Sequence, residues 1–325
     1  MKKEELKIVF LGTPEFAVAS LDRIYNEGYN IVGVVTMPDK PAGRGHKMYQ
    51  SDVKKYALEK GLHLMQPVSL KDPEFIEHLR SLQADLFVVI AFRMLPRQVW
   101  QMPPLGTFNL HASLLPRYRG AAPINRAVMN GDTHTGVTTF FLKHELDTGD
   151  IIDRVAIEIG PDENVGSVHD RLMELGAELT LKTIESIVDG TLKTIPQDSM
   201  PDAAEACDAP KIFKETCRID WNSPTATIHN HVRGLSPYPA AWTVLTADNA
   251  APREVKVYAT VRGTDLEMPA DAAPGHIHVT EDLRMAVRTA DGVIEITRIQ
   301  PAGKKQMPVS DFLRGARLVN PQFTA

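Results

Sequence analysis

The chain has 325 residues, of which 43% are hydrophobic and 24% are charged, and this composition is typical of globular proteins large enough for two domains. The formal net charge of −5 argues against a protein held on nucleic acid by bulk charge. Cys207 and Cys217 are too few for a disulfide scaffold, so we expect a reducing, cytoplasmic compartment. No apolar run reaches the length of a membrane span, so no membrane partner is expected.

The first part of the chain alternates between predicted strands and predicted helices. The apolar run at residues 6–12 predicts a strand buried on both faces. The Thr-Pro that follows it begins a predicted helix that ends at Gly28. Further strands are predicted at 30–36, 84–91, 105–111 and 136–142, with intervening helices begun by Ser51 and by Asp72 and Pro73, and a long helix at 167–190. This alternation predicts an α/β fold with a mostly parallel, doubly wound sheet.

The character of the sequence changes after residue 190. Residues 191–210 contain three prolines and no hydrophobic periodicity, which is typical of a linker. Beyond residue 211, short stretches of strand-forming residues are separated by turn residues. Strands at this spacing predict a small barrel or open sheet. The predicted domains are therefore residues 1–190 and 211–325, joined by a linker at 191–210.

Asn109 and His111 stand at the end of the predicted strand 105–111. Residues two apart in an extended segment share a face, so both side chains point the same way at the carboxyl end of the strand, the usual ligand edge of an α/β sheet. An amide that donates without charge and an imidazole that can carry a proton suit the oxyanion that forms when a carbonyl is attacked. The alternative is a polar pair that caps a turn.

Two neighbouring motifs favour the chemical interpretation. Leu114, Leu115 and Pro116 form a stiff, apolar stretch suited to a flat ligand, although simple loop packing gives the same pattern. Asp147 lies in the sequence LDTG, beyond the predicted strand 136–142. Its carboxylate could orient His111 and stabilise the protonated imidazole, although a polar turn would use the same residues.

Segments along nearly the whole chain resemble the methionyl-tRNA formyltransferase family. They are FLGTPEFA, PDKPAGRGHK, NLHASLLPRYRGAAP and LDTGDI, and later IDW, RGLSPYPAAW and QPAGKK. The Asn-x-His pair, the Asp and SLLP are shared among enzymes that use 10-formyltetrahydrofolate, whereas PAGRG and the C-terminal segments point to the tRNA enzyme. One departure is IAFRMLPRQ at 90–98, where the family more often has a tyrosine and then a glycine in a run one residue longer. This segment is expected to border the folate pocket.

The resemblance implies formyl transfer from 10-formyltetrahydrofolate to the α-amine of methionine on the initiator tRNA, without a metal. It implies a Rossmann-like formyltransferase domain followed by an oligonucleotide-binding-like (OB-like) β-barrel that lies along the tRNA. Asn109, His111 and Asp147 are the implied catalytic residues. The implied folate contacts are Ser113, Leu114, Leu115 and Pro116.

Basic residues in two regions are predicted to contact the tRNA. The loop at 37–50 carries Lys40, Arg44 and Lys47. Taken alone it is typical of a solvated insertion, but in the family it enters the acceptor end of the tRNA. In the C-terminal part, six cationic residues are candidate phosphate contacts, although each could equally be an ordinary surface residue: Lys211, Lys214, Arg218, Arg233, Lys304 and Lys305.

Three other functions fit parts of this pattern. A formyl transferase for a small amine would share the Asn–His–Asp set but not the PAGRG loop. A hydrolase that releases formate would need the same three residues, with water as the attacking group. A catalytically silent RNA-binding module would not need them intact. We expect a monomer, because every amphipathic stretch has an intramolecular role in this interpretation.

Overall fold

The structure is a computed structural model that describes residues 2–42, 47–269, 271–316 and 318–324. It separates into two compact units. Unit 1 comprises the chain up to residue 120 together with 136–157 and 170–208, and unit 2 comprises 121–135, 158–169 and 209–325. Both units are discontinuous in sequence, and the predicted boundaries at 190 and 211 stay a prediction.

The regular elements follow the chain from β1 to β18 and from α1 to α8. Those before residue 190 are β1 (Lys7–Gly12), α1 (Glu15–Asn26), β2 (Asn30–Val35), β3 (Lys40–Ala42), β4 (Lys47–Tyr49), α2 (Asp52–Glu59), β5 (Leu64–Met65), α3 (Pro73–Ser81), β6 (Leu86–Ile90), α4 (Arg97–Trp100), β7 (Thr107–His111), β8 (Arg119–Gly120), α5 (Pro123–Met129), β9 (His134–Phe141), β10 (Ile151–Glu158) and α6 (Val165–Val188). Those after residue 190 are β11 (Asp208–Ala209), α7 (Thr225–Leu235), β12 (Ala241–Ala247), β13 (Ala250–Val261), β14 (Ile277–Val279), β15 (Met285–Arg288), β16 (Val293–Pro301), β17 (Met307–Pro308), α8 (Val309–Gly315) and β18 (Gln322–Thr324).

The first large sheet has the strand order β10–β9–β7–β6–β1–β2–β5. Strand β1 pairs in parallel with β2 and β6, β2 with β5, and β6 with β7. All five residues of β6 are buried, as expected for an apolar strand inside a parallel sheet. Strand β9 is antiparallel to β7. The predicted mostly parallel, Rossmann-like α/β sheet is therefore confirmed, and β7 lies between a parallel and an antiparallel neighbour.

Helix starts follow local capping chemistry. The Ser51 side chain accepts a hydrogen bond from the Lys54 N–H at 3.1 Å, and Asp72 accepts one from the Glu74 N–H at 3.0 Å. These side chains satisfy N–H groups that a helix terminus leaves without partners. Helix α6 begins before the predicted start at Ser167, whose N–H instead donates to the Asn164 side chain at 3.0 Å.

Unit 2 contains an antiparallel sheet in the order β14–β15–β16–β13–β12–β18, with β17 added to β16. Its two ends meet, because the Phe323 N–H donates to the Gly275 carbonyl at 2.8 Å. Inside, Trp221 is 1% exposed and stacks on Phe323 with ring centroids 5.3 Å apart. The Trp221 indole N–H donates to the Thr243 hydroxyl at 2.9 Å. The predicted OB-like β-barrel is confirmed.

Candidate active site

Strand β7 places Asn109 and His111 on one face of the first sheet. Phe108 and Leu110, the residues that alternate with them, are 0% and 3% exposed. Asn109 lies opposite Phe140 in β9, and β7 continues to His111 as its last residue. The alternation that the sequence predicts is therefore present, and both polar side chains lie at the carboxyl end of a central strand.

His111 is enclosed, with 6% of its surface exposed. Its Nε2 atom lies 2.8 Å from the carbonyl oxygen of Tyr118. A carbonyl only accepts, so Nε2 carries the hydrogen in this contact. The other ring nitrogen, Nδ1, lies 3.8 Å from Oδ2 of Asp147, a distance beyond a hydrogen bond. The ring also meets Phe140 edge-on, with centroids 6.5 Å apart. The imidazole is thus oriented from one side and faces a carboxylate on the other.

Asp147 occupies the turn between β9 and β10. It is 8% exposed, and its φ of 52° lies in the left-handed region that non-glycine residues seldom adopt. Its Oδ2 atom accepts a hydrogen bond from the Gly120 N–H at 2.9 Å. Gly149 allows the turn to pass close to β9, because a Cβ there would lie 1.5 Å from the Phe141 carbonyl oxygen. Backbone packing therefore fixes where the carboxylate can stand.

Asn109 is half-buried, and within the described residues its amide makes no hydrogen bond. Its two N–H donors are thus available to an added group. The structure brings His111 and Asp147 together and leaves the Asn109 amide free on the same strand face. An amide donor on the same strand face as an imidazole that faces a carboxylate can stabilise negative charge that develops on a carbonyl oxygen.

The predicted folate-contact loop, residues 113–116, is held from inside the protein. Ser113 is fully buried, and its carbonyl accepts a hydrogen bond from the Thr138 hydroxyl at 2.6 Å. The Leu115 carbonyl accepts one from Arg154 at 2.7 Å. The side chains of Leu115 and Pro116 are buried, whereas Leu114 is half-buried. Ligand contact through this loop stays a prediction, with Leu114 its most accessible apolar side chain. Thr138 and Arg154 lie on separate strands, so no sequence motif indicates their role in holding it.

The segment 90–98, which departs from the family pattern, begins at the last residue of β6 and ends inside α4. Ala91 has a φ of 47°, and Arg93 extends across to an earlier loop, where its guanidinium donates to the carbonyl oxygens of Pro67 and Val68. Burial lowers the pKa of Arg93 from its usual value. The arginine therefore ties two loops of unit 1 together.

The residues predicted to contact the tRNA differ in how far the structure describes them. Lys40 is exposed on β3. Arg44 lies outside the described residues, and only the backbone of Lys47 is described. Lys211, Lys304 and Lys305 are exposed in unit 2, and contact with tRNA stays a prediction for all of them.

Three further cationic candidates also lie in unit 2. Lys214 and Arg218 are exposed and lie 5.0 and 5.3 Å from the centre of the Trp242 ring. The prediction that Arg233 contacts phosphate is wrong. The arginine is 6% exposed and donates to the carbonyls of Gly160 and Glu163, so it is not a surface phosphate contact.

No group of three or more His, Cys, Asp or Glu residues in the described ranges is arranged to hold a metal ion. Among the helices that the structure describes, none is long and apolar enough to cross a membrane.

Comparisons with known proteins identify the class. Residues 6–184 match the formyl transferase family model, and residues 211–317 match that of the formyl transferase C-terminal domain. The solved N-formyltransferase from Helicobacter canadensis, in complex with folinic acid and dTDP-3-aminofucose, has a TM-score of 0.65 at 19% identity and covers 90% of this chain and 98% of its own. HypX from Aquifex aeolicus with tetrahydrofolic acid has a TM-score of 0.62 at 19% identity, over 94% of this chain and 46% of that chain. The fold and the two matched domains are those of a formyl transferase.

Close relatives define the family. Methionyl-tRNA formyltransferase of Bacteroides fragilis is 54% identical over 318 residues, which is 98% of this chain and 97% of the relative. The enzyme of the same name from Porphyromonas gingivalis is 46% identical over 323 residues, or 99% of each chain. The chain belongs to the methionyl-tRNA formyltransferase family.

Proposed function

We propose that this chain transfers the formyl group of 10-formyltetrahydrofolate to the α-amine of methionine on the initiator tRNA, giving N-formylmethionyl-tRNA for translation initiation. The observation that carries the proposal is the arrangement of Asn109 and His111 at the end of β7 with Asp147 facing His111, in a chain that matches a methionyl-tRNA formyltransferase over 98% of its length. The carboxyl edge of an α/β sheet is where ligands usually bind, and holding the amine and the formyl carbonyl there in a reactive orientation would lower the barrier.

The chemistry would proceed by direct attack. The amine nitrogen bonds to the formyl carbon, and the carbonyl oxygen becomes an oxyanion that the free amide of Asn109 would stabilise. Protonated His111 would add positive charge near the oxyanion. Its Nε2 atom is already hydrogen-bonded to the Tyr118 carbonyl, so Nδ1 is the ring nitrogen without a hydrogen bond. Asp147 would hold that charge in place. The bond from the formyl carbon to the folate nitrogen then breaks, and the proton lost by the amine passes to that nitrogen. No covalent enzyme intermediate is needed.

The tRNA contacts are also proposals. We assign them to Lys40, Arg44 and Lys47 in the 37–50 loop, and in unit 2 to Lys211, Lys304 and Lys305, because a lysine or arginine that neutralises a phosphate releases a counterion condensed on the nucleic acid. Replacing both Lys304 and Lys305 by alanine should weaken tRNA use and flatten its salt dependence, with the KM for folate unchanged. Lys193→Ala, which removes an exposed lysine of unit 1, is the control.

Arg44 provides a separate test of the 37–50 loop. Arg44→Ala should raise the KM for tRNA and leave folate binding unchanged, since the loop is assigned to the tRNA alone. An unchanged KM for tRNA would remove Arg44 from the tRNA site, whereas equal loss of folate binding and of tRNA use would point to misfolding. Binding of folate is measured by fluorescence quenching in the absence of tRNA.

The decisive experiment compares three reactions with the purified chain and 10-formyltetrahydrofolate. The acceptors are methionyl initiator tRNA, methionyl elongator tRNA and none. Formylation of the initiator alone supports the proposal. Folate turnover without tRNA would instead identify a hydrolase, and a fourth reaction with a small amine as acceptor tests for the other kind of transferase.

The cellular setting follows from the proposed substrate. Initiator tRNA belongs with the translation machinery, so we propose a cytoplasmic location, which fractionation of cells expressing the chain would test. We also propose that the enzyme acts as a monomer. Sedimentation at micromolar concentration, with and without tRNA, would test the oligomeric state.

A further inference from the structure

Gln197 is a buried glutamine in the segment between α6 and β11, a segment that the sequence identifies only as a linker. Its side chain is 4% exposed. The amide Nε2 donates to the carbonyl oxygens of Asp147 at 2.8 Å and Gly149 at 2.9 Å. The amide oxygen accepts two hydrogen bonds from Arg119, at 3.0 Å from Nε and 2.7 Å from an Nη atom. Two donors and two lone pairs are all used, so the orientation of the amide is fixed by its partners.

The groups that Gln197 holds adjoin His111 and Asp147 from two sides. On one side is the backbone of the turn that carries the Asp147 carboxylate. On the other is Arg119, which follows the residue whose carbonyl accepts from His111 and precedes Gly120, whose N–H donates to the carboxylate. A single amide therefore links the turn bearing the carboxylate to the loop that orients the imidazole.

The Asp147 turn needs support of this kind. Asp147 has a left-handed φ of 52°, a conformation that persists in non-glycine residues only where surrounding contacts over-determine it. Its own side chain is committed to facing His111 and Gly120. The two bonds from Gln197 act on the turn backbone instead, at Asp147 and Gly149, and so restrain it without occupying the carboxylate.

We propose that Gln197 is a positioning residue for formyl transfer, which fixes the Asp147 turn so that the carboxylate faces Nδ1 of His111. The proposal rests on the proposed function of the chain. Its amide is fully used by the Asp147 turn and by Arg119, and the two bonds to the turn backbone are the ones that set the position of the carboxylate. Misplacement of a reacting constellation by about 1 Å can cost about 100-fold in rate. Loss of Gln197 should therefore lower kcat and leave substrate binding largely intact.

The sharpest variant is Gln197→Glu. It keeps the length of the side chain and an acceptor for Arg119, but it replaces two donated hydrogen bonds by a carboxylate oxygen facing two carbonyl oxygens. We expect kcat to fall by about 10- to 100-fold, with the KM values for folate and tRNA changed by less than about threefold. Ser199→Ala, an exposed position in the same short turn, is the matched control and should retain wild-type kinetics.

A double-mutant cycle separates positioning from a general effect on the fold. Gln197→Glu, Asp147→Asn and the double variant are compared at one temperature, with melting curves for each. If Gln197 acts through Asp147, the double variant is no slower than Asp147→Asn alone. Should Gln197→Glu melt below the assay temperature, the neutral and similarly long Gln197→Met replaces it in the same cycle.

Each outcome decides the proposal. A kcat loss that disappears in the Asp147→Asn background supports positioning through the carboxylate. Losses that multiply in the double variant, a change in KM alone, or kinetics equal to those of Ser199→Ala would overturn it. Failure of the wild-type chain to formylate methionyl initiator tRNA would count against the proposed function and not specifically against Gln197.

Discussion

Replacing Asp147 by asparagine tests the central electrostatic contact of the candidate site. The substitution keeps the size of the side chain and an oxygen that can accept from the Gly120 N–H, but it removes the negative charge 3.8 Å from Nδ1 of His111. Both side chains are largely buried, with 7% and 9% exposure. The variant therefore isolates the charge from the shape of the site.

The expected magnitude follows from the separation. Two unit charges at about this distance interact by about 4 kcal/mol at an effective dielectric constant of about 20. If the carboxylate stabilises a protonated His111 in the transition state, its loss removes up to that amount. Since about 1.4 kcal/mol corresponds to a factor of ten, kcat should fall by up to about 1,000-fold. Folate binding and the melting temperature should change little.

The assay is single-turnover formylation of methionyl initiator tRNA with saturating enzyme, which reports the chemical step without product release. Asp150→Asn is the control, because Asp150 lies in the same turn and pairs with Lys143 at the surface at 2.7 Å. Such exposed pairs contribute about 0–1 kcal/mol. A rate for Asp147→Asn within about threefold of wild type would refute the reasoning.

Three further predictions concern close packing, a buried donor and a buried histidine. Gly149→Ala places a Cβ 1.5 Å from the Phe141 carbonyl oxygen, so the turn must shift and both kcat and the melting temperature should drop; an unchanged melting curve would contradict the clash. Trp221→Phe keeps the stacked ring but removes the donor to Thr243, and urea unfolding should show a loss of about 1–3 kcal/mol, whereas a loss below about 0.5 kcal/mol would count against it. Burial lowers the pKa of His229, which is 2% exposed, so the unfolded chain binds its proton first as the pH falls, and stability decreases below about pH 6.5. His229→Gln should remove that part of the slope in melting temperature between about pH 7.5 and pH 5, and an identical slope in both proteins would be evidence against it.

Local patterns account for most of the fold. A strand buried in a parallel sheet has a continuous run of apolar residues in the sequence, and the observed bounds of β1 and β6 agree closely with the runs that predict them. Ser51 and Asp72 cap helices as their side chains require. Period-two alternation also suffices to place Asn109 and His111 on one strand face. These features depend on residues a few positions apart, so the sequence contains the information directly.

Other features depend on contacts that no local pattern encodes. Strand β10 is mostly half-buried, so it lacks the apolar run by which buried strands are predicted. The hairpin of β3 and β4 lies inside a loop defined by its glycines and charges. An arginine is usually expected at the surface, but the guanidinium of Arg233 is buried and donates hydrogen bonds to the carbonyls of Gly160 and Glu163. A charge pattern along the chain does not distinguish these environments.

The candidate site likewise contains some residues that the sequence predicts and others that it does not. The sequence motifs contain Asn109, His111 and Asp147, whose spacing and chemistry are recognisable. The residues that hold their surroundings are not recognisable, because Thr138, Arg154 and Gln197 come from three separate segments. Their hydrogen bonds go mostly to backbone carbonyls, which every residue possesses, so no residue type on the other side of the contact reveals the pairing.

The Gln197 contact also bears on how the protein responds to heat. The amide and the Asp147 backbone are 50 residues apart in sequence, and a stretch of short turns that carries the amide should open at a lower free energy than the parallel sheet. Warming could then detach this stretch while the sheet stays folded. Formylation would cease several degrees below the main melting transition and would return on cooling. Loss of activity would then detect the opening of this one segment before spectroscopy detects unfolding of the protein.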